Sequence, residues 1–199
     1  MRHITSILLF AFLIIGALSC SETKGTLLKG TIENAGGLQV ALERTAFNNQ
    51  KTAMGRTEAG SDGSFEISVP EGLQAGLYQL TVGAKTMYLP LGESTKKIEI
   101  QGDLSTLDKY QAQVSGSPVL ENYVSTMSQL FDKSLDMKGV QQIIEDTEHP
   151  YLAAKLVLDI TQGRITEQTL DMYKTVNNKL AETYPGSPDA QAFGSFIAN

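Results

Sequence analysis

Three places along the 199-residue chain gather side chains capable of covalent, acid–base or metal chemistry. The first is Cys20, the sole cysteine. With no second thiol in the chain a structural disulfide is excluded, so this nucleophilic sulfur is either free or committed to another group. The second is the run Glu145-Asp146-Thr147-Glu148-His149. Glu145 and His149 are four apart, a spacing at which one helical face presents both to a metal. His149 is also the one histidine beyond His3, so a hydrolase or metal-dependent mechanism has to run through it. The plainer reading is the acidic, solvated end of a helix in front of Pro150. A lone histidine makes a poor zinc site, and no Gly-x-Ser-x-Gly nucleophile elbow accompanies it. The third place is Lys155 with Asp159, an i,i+4 pair on an otherwise apolar run, read as the narrow wet stripe of a buried helix. Asp62-Gly63 lacks the further oxygen ligands of a calcium loop and reads as a tight turn. Gly30 and Gly36-Gly37 lack the strand-to-helix setting of a phosphate loop. Tyr78, Tyr123 and Tyr173 fall on core faces, whereas Tyr88 opposes the Met87/Leu89 face and is expected outside. No catalytic set and no cofactor is expected from these residues.

What surrounds Cys20 gives its thiol a use. Arg2 and His3 form a short basic start, Ile4 to Ile15 an apolar stretch, and Gly16, Ala17 and Ser19 a small-residue region. These are the parts of an export signal, and the apolar stretch is short for a bilayer span. Ala17-Leu18-Ser19-Cys20 resembles the lipobox of bacterial lipoproteins, with Ala17 where leucine is usual. The resemblance implies cleavage between Ser19 and Cys20 and acylation of Cys20. Residues 1–19 are then a signal peptide, 20–24 the lipidated cysteine and a linker. The acyl chains contribute about 0.8 kcal/mol of membrane affinity per buried methylene. The alternative is an ordinary secretory signal with an incidental cysteine. Net charge is −6 with a pI of about 4.9, and no basic cluster occurs. Nucleic acid is therefore excluded as a partner, since its binding rests on cationic surface releasing counterions.

Two kinds of periodicity organise the rest. From residue 25 to 113 apolar residues alternate: Leu38, Val40 and Leu42; Phe65, Ile67 and Val69; Tyr78, Leu80 and Val82; Ile98 and Ile100. Alternation means strands with one wet face. Turn residues such as Asn34-Ala35-Gly36-Gly37, Ser61-Asp62-Gly63-Ser64 and Glu71-Gly72 separate them. With Leu27–Glu33, Met54–Glu58 and Met87–Leu91 the count is about seven, which predicts an antiparallel β-sandwich. Pro90 places its strand at an edge or ends it there. From 114 to 199 the period is helical, predicting a bundle of four to five helices. Ser117-Pro118, Asp136, His149-Pro150, Thr166 and Ser187-Pro188 mark the starts. The fold class is α+β, strands first and helices after.

Leu28-Lys29-Gly30-Thr31-Ile32, Asp62-Gly63-Ser64-Phe65, Gly76-Leu77-Tyr78 and Ile100-Gln101-Gly102-Asp103 together resemble an uncharacterised β-domain. In Gram-negative bacteria that domain stands at the N-terminus of many lipoproteins of the thioredoxin-like disulfide reductase and AhpC/TSA type. Val114-Ser115-Gly116-Ser117, His149-Pro150-Tyr151-Leu152-Ala153-Ala154 and Tyr184-Pro185-Gly186-Ser187-Pro188 fit the same pattern. In the family a thioredoxin-like domain with Cys-x-x-Cys follows. No such motif occurs in these residues, and disulfide exchange needs an attacking thiolate. The resemblance implies architecture, anchoring and an envelope location, at the periplasmic face or outer surface of the outer membrane. The leading expectation is a non-catalytic, lipid-anchored binding or adaptor module with a protein partner in the envelope. Its partner surface is expected on the last helix at Phe193, Phe196 and Ile197. The alternatives are an accessory of a separate thioredoxin-like oxidoreductase and a hydrolase or metal-dependent enzyme using His149.

Overall fold

The computed structural model describes residues 25–93 and 95–198; Ser19 and Cys20 lie outside them. The strands are β1 (Thr26–Glu33), β2 (Gln39–Thr45), β3 (Lys51–Glu58), β4 (Ser64–Val69), β5 (Gly76–Val82), β6 (Lys85–Leu91), β7 (Lys97–Asp103) and β8 (Ala112–Ser115). The helices are α1 (Pro118–Phe131), α2 (Met137–Asp146), α3 (Pro150–Thr161), α4 (Leu170–Thr183) and α5 (Pro188–Ala198). A short 3₁₀ turn, Leu107–Lys109, precedes β8. Strands first and helices after is the α+β order that the two periodicities predict.

Two four-stranded sheets stack face to face, the first ordered β4-β1-β7-β8 and the second β3-β2-β5-β6. Leu28, Ile32, Ile67, Ile98 and Ile100 from one sheet, and Val40, Leu42, Leu80 and Val82 from the other, are buried. All but Leu28 and Ile32, which fall in the expected strand Leu27–Glu33, are alternating positions picked out in the sequence. Two features depart from a purely antiparallel seven-stranded sandwich. β1 pairs with β7 in parallel, and the chain crosses to the other sheet and back twice between them. An eighth strand, β8, pairs with the end of β7 and spans the position where the helical part was expected to begin. Pro90 lies in β6, an edge strand of the second sheet. At the Asp62-Gly63 turn, Gly63 has φ 79°, and a side chain there would run into the Ile32 carbonyl oxygen. Asp62 accepts from the Ser64 amide at 3.0 Å, which closes the turn.

The helices start where hydroxyls and carboxylates can satisfy free amides. Ser117 accepts from the Leu120 amide, Asp136 from Gly139 and Ser187 from Ala190. α3 is the centre of the helical layer, with Tyr151 through Val157 all buried. The second sheet is wet on neither face over β5: Leu80 and Val82 point into the sandwich, and Leu77 and Gln79 are buried on the other side. α1 and α3 pack there against β6, and α3 also against β5. The outer face of the second sheet is thus the floor on which the helices stand. Among the described residues no helix is long and apolar enough to cross a membrane.

Candidate functional site

Two charged pairs lie in the junction between that sheet and the helices. In the first, Arg44 Nη2 donates to Asp189 Oδ2 at 2.7 Å. Arg44 shares the inward parity of Val40 and Leu42 at the end of β2, while Asp189 sits in the first turn of α5, where the helix dipole favours a carboxylate. The Asp189 side chain is only 3% exposed and also accepts from the Tyr151 hydroxyl at 2.8 Å. Burial would lower the Arg44 pKa; Asp189 and the phenols of Tyr151 and Tyr78 more than offset it, so the guanidinium is held above its ordinary range. Burial, then the bond to Asp189, pushes the Tyr151 phenol up. Arg44 Nε and Asp189 Oδ1 remain buried without partners among the described residues.

The second pair is Lys155 with Asp159, bonded one turn apart on α3. Lys155 is buried, not a wet stripe, because the Tyr88 ring covers it with its ammonium 4.2 Å from the ring centroid. Such an arrangement lets the ring's negative face replace part of the lost water. Tyr123 donates its hydroxyl proton to Asp159 Oδ2 at 2.8 Å. The Tyr110 and Tyr123 hydroxyls are 2.9 Å apart. Since the one proton of Tyr123 goes to Asp159, Tyr110 supplies the proton between the two phenols. Tyr110 in turn accepts from the Tyr88 amide at 3.3 Å. Burial lowers the Lys155 pKa against the opposing pull of Asp159. Burial also pushes the phenols of Tyr110 and Tyr123 up, with Asp159 adding to the effect.

Beside this second pair is a cleft of 370 Å³. Its floor is Thr45, Leu77 and Tyr88 from the outer face of the second sheet; Lys155, Leu158 and Asp159 of α3 form one wall. Phe47, after β2, and Phe193 and Phe196, on α5, form another. Phe47 meets Phe193 edge-on at 5.1 Å and stacks on Tyr151 at 6.0 Å. The Thr45 hydroxyl is buried without a hydrogen-bond partner among the described residues. The cleft combines apolar walls with a few fixed polar groups, the usual character of a small-molecule site.

The residues singled out in the sequence are distributed differently. Glu145 and His149 do not share a helical face. α2 ends at Asp146, where Thr147 turns to an extended conformation, and His149 is the residue before α3. Glu145 accepts from Gln141 Nε2 at 2.9 Å, and His149 is exposed beside a separate 620 Å³ hollow with Glu93 and Glu148. Among the described residues no three His, Cys, Asp or Glu side chains converge as a metal site would require. Phe193 cannot form a partner surface: it is 1% exposed, held by Phe47, Tyr173 and Phe196. Phe196 is exposed and Ile197 half-buried. Phe131 and Met137, at the α1–α2 connection, are the more exposed apolar side chains. Sequence reasoning passed over Arg44, Thr45, Phe47 and Asp189. One signal was available, an arginine on the buried parity of β2.

No protein-family model and no curated protein matches the chain. Among solved structures it is similar to the crystal structure of a 9R-lipoxygenase from Cyanothece PCC8801, at 10% identity and a TM-score of 0.31. That likeness covers 82% of this chain and 29% of the lipoxygenase, so the chain spans less than a third of that protein's length.

Proposed function

We propose that the protein is a lipid-anchored, non-catalytic binding module of the cell envelope, acting as an adaptor to a protein partner. The observation that carries the reading is the position of β1. The first strand starts at Thr26, six residues after Cys20, and Thr26 is itself built into the fold. Its hydroxyl donates to the Thr95 carbonyl and accepts from the Leu73 amide at 3.0 Å. An acyl group on Cys20 would therefore hold the body on a tether of at most about 20 Å. The charged pairs that join sheet and helices support a module whose surfaces keep a fixed relation to one another.

Growth with an alkyne-tagged fatty acid, followed by mass analysis of the native product, tests the anchor. The expected result is a labelled Cys20 and a protein that fractionates with membranes, both lost in Cys20→Ala. An unmodified Cys20 thiol in the native protein would overturn it. Crosslinking in intact cells tests the adaptor role: a discrete heteromeric product is expected, and recovery of monomer alone counts against it.

A further inference from the structure

We propose that the outer edge of β8 takes up an extended, basic segment of a protein partner as a fifth strand of the first sheet. The proposal rests on the adaptor reading for the existence of a partner, and names that partner's chemistry and its seat.

The strands that end the two sheets, β3, β4, β6 and β8, are not alike. An uncovered edge pairs readily with another chain, and charged side chains, proline and bulges are its usual guards. β3 carries Lys51 and Arg56, and a bulge interrupts its pairing with β2. β4 has Glu66, and β6 has Lys85 and Pro90. β8, Ala-Gln-Val-Ser, has neither charge nor proline. Among the described residues it pairs with β7 alone. In an antiparallel pair alternate residues turn their N–H and C=O groups away from the partner strand. Half of β8 therefore presents donors and acceptors to its outer side.

α1 packs beside β8, and the two line a groove of 1030 Å³. Gln113 of β8 and Glu121, Ser125 and Gln129 of α1 are exposed there. The more deeply buried Val114 and Val124 add an apolar strip. An edge strand beside a helix-lined groove suits strand addition, in which main-chain bonds hold the segment and alternate side chains are read. β8 is four residues long, so it takes up one short segment and does not start an open-ended sheet.

Charge selects the segment. The charged residues lining the groove are Glu33, Asp103 and Glu121, with no Lys or Arg among them. An added strand turns alternate side chains to opposite faces. The matching segment therefore alternates apolar residues with basic ones. A second copy of this chain would bring the same three carboxylates, and like charge opposes a β8-to-β8 dimer.

The test is NMR titration of the purified full chain with the acetylated, amidated peptide Lys-Val-Lys-Val-Lys. Saturable binding is expected at low salt, and two of the four β8 amides should gain protection from hydrogen exchange. The Glu-Val-Glu-Val-Glu counterpart should bind at least tenfold more weakly. Two further forms of the basic peptide are N-methylated on the valines or on the lysines. One set of nitrogens faces β8 and the other faces away, so one form should lose at least tenfold and the other should keep its affinity. Glu121→Lys, at an exposed position of α1, should weaken binding at least threefold. The proposal is overturned if the basic peptide does not saturate, if the acidic peptide binds as well, or if the two methylated forms bind alike. Unchanged affinity in Glu121→Lys, or a dimer of the free chain in sedimentation, overturns it too. If the peptide fails while crosslinking in intact cells still yields a heteromer, the edge is lost and the adaptor reading stands.

Discussion

The two charged pairs in the junction each join one cation to one carboxylate and are built differently. Arg44 and Asp189 are 145 residues apart and reach each other directly across the boundary between sheet and α5. Lys155 and Asp159 belong to a single turn of α3 and reach the sheet through the Tyr88 ring and the tyrosine chain. The first pair is a single strong link with an unpartnered atom on each side. The second is a distributed network in which each phenol has a partner. The difference teaches where the junction should fail first. A direct pair concentrates the loss when one charge is removed, because the other is left buried and uncompensated. A network spreads it over several weaker bonds.

Asp189→Ala gives the largest expected effect, a loss of about 3 kcal/mol in urea-unfolding free energy: Tyr151 also loses its acceptor, while the partial exposure of Arg44 keeps the loss at the lower end for a buried pair. Combining it with Arg44→Met should restore at least half of that loss. If the double variant is no more stable than the single one, the pair is not the direct link described here. Next comes Tyr123→Phe, expected to cost about 2 kcal/mol, because it strips Asp159 of a donor and Tyr110 of its acceptor. Tyr151→Phe should cost less, about 1.5 kcal/mol, since Asp189 keeps Arg44. A reversed order of the two tyrosine variants would mean that the network carries less than the direct pair's side branch.

Alkaline pH sharpens the contrast with the smallest effect per group. A free tyrosine ionises near pH 10, and burial keeps Tyr110 and Tyr123 protonated beyond that point. Their contribution to stability is therefore complete below pH 10 and lost as the pH rises through the folded values. Each of the two phenols therefore weakens the fold progressively above pH 10. Lys155 acts in the other direction, since its lowered pKa makes its burial less costly as the pH approaches 10.5. Urea titrations between pH 9 and 11 should show a net loss of stability in the parent that shrinks in Tyr123→Phe.

The strands were legible because a sheet face that meets water leaves a period of two in the chain, as at Phe65, Ile67 and Val69. β8 was not, since four residues ending at Ser115 carry too little of that period. Helical spacing disclosed that Lys155 and Asp159 share a face. It could not disclose that Tyr88, from a strand 67 residues earlier, stands opposite them. Phe193 was misplaced for the same reason: its cover, Phe47, comes from a loop in the sandwich. Glu145 and His149 fit a ligand spacing only on an unbroken helix, and the extended Thr147 breaks it. Of the cleft, the sequence disclosed the cation and the aromatic residues of α5, but not the floor that unites them.

β1 lies between β4 and β7, bonded on both edges, antiparallel to one and parallel to the other. Any load applied at residue 25 and directed along the strand is shared by both ladders at once, because their hydrogen bonds run across the line of pull. Rupture then requires shearing of the whole strand rather than stepwise unzipping, so the sandwich resists traction applied through β1.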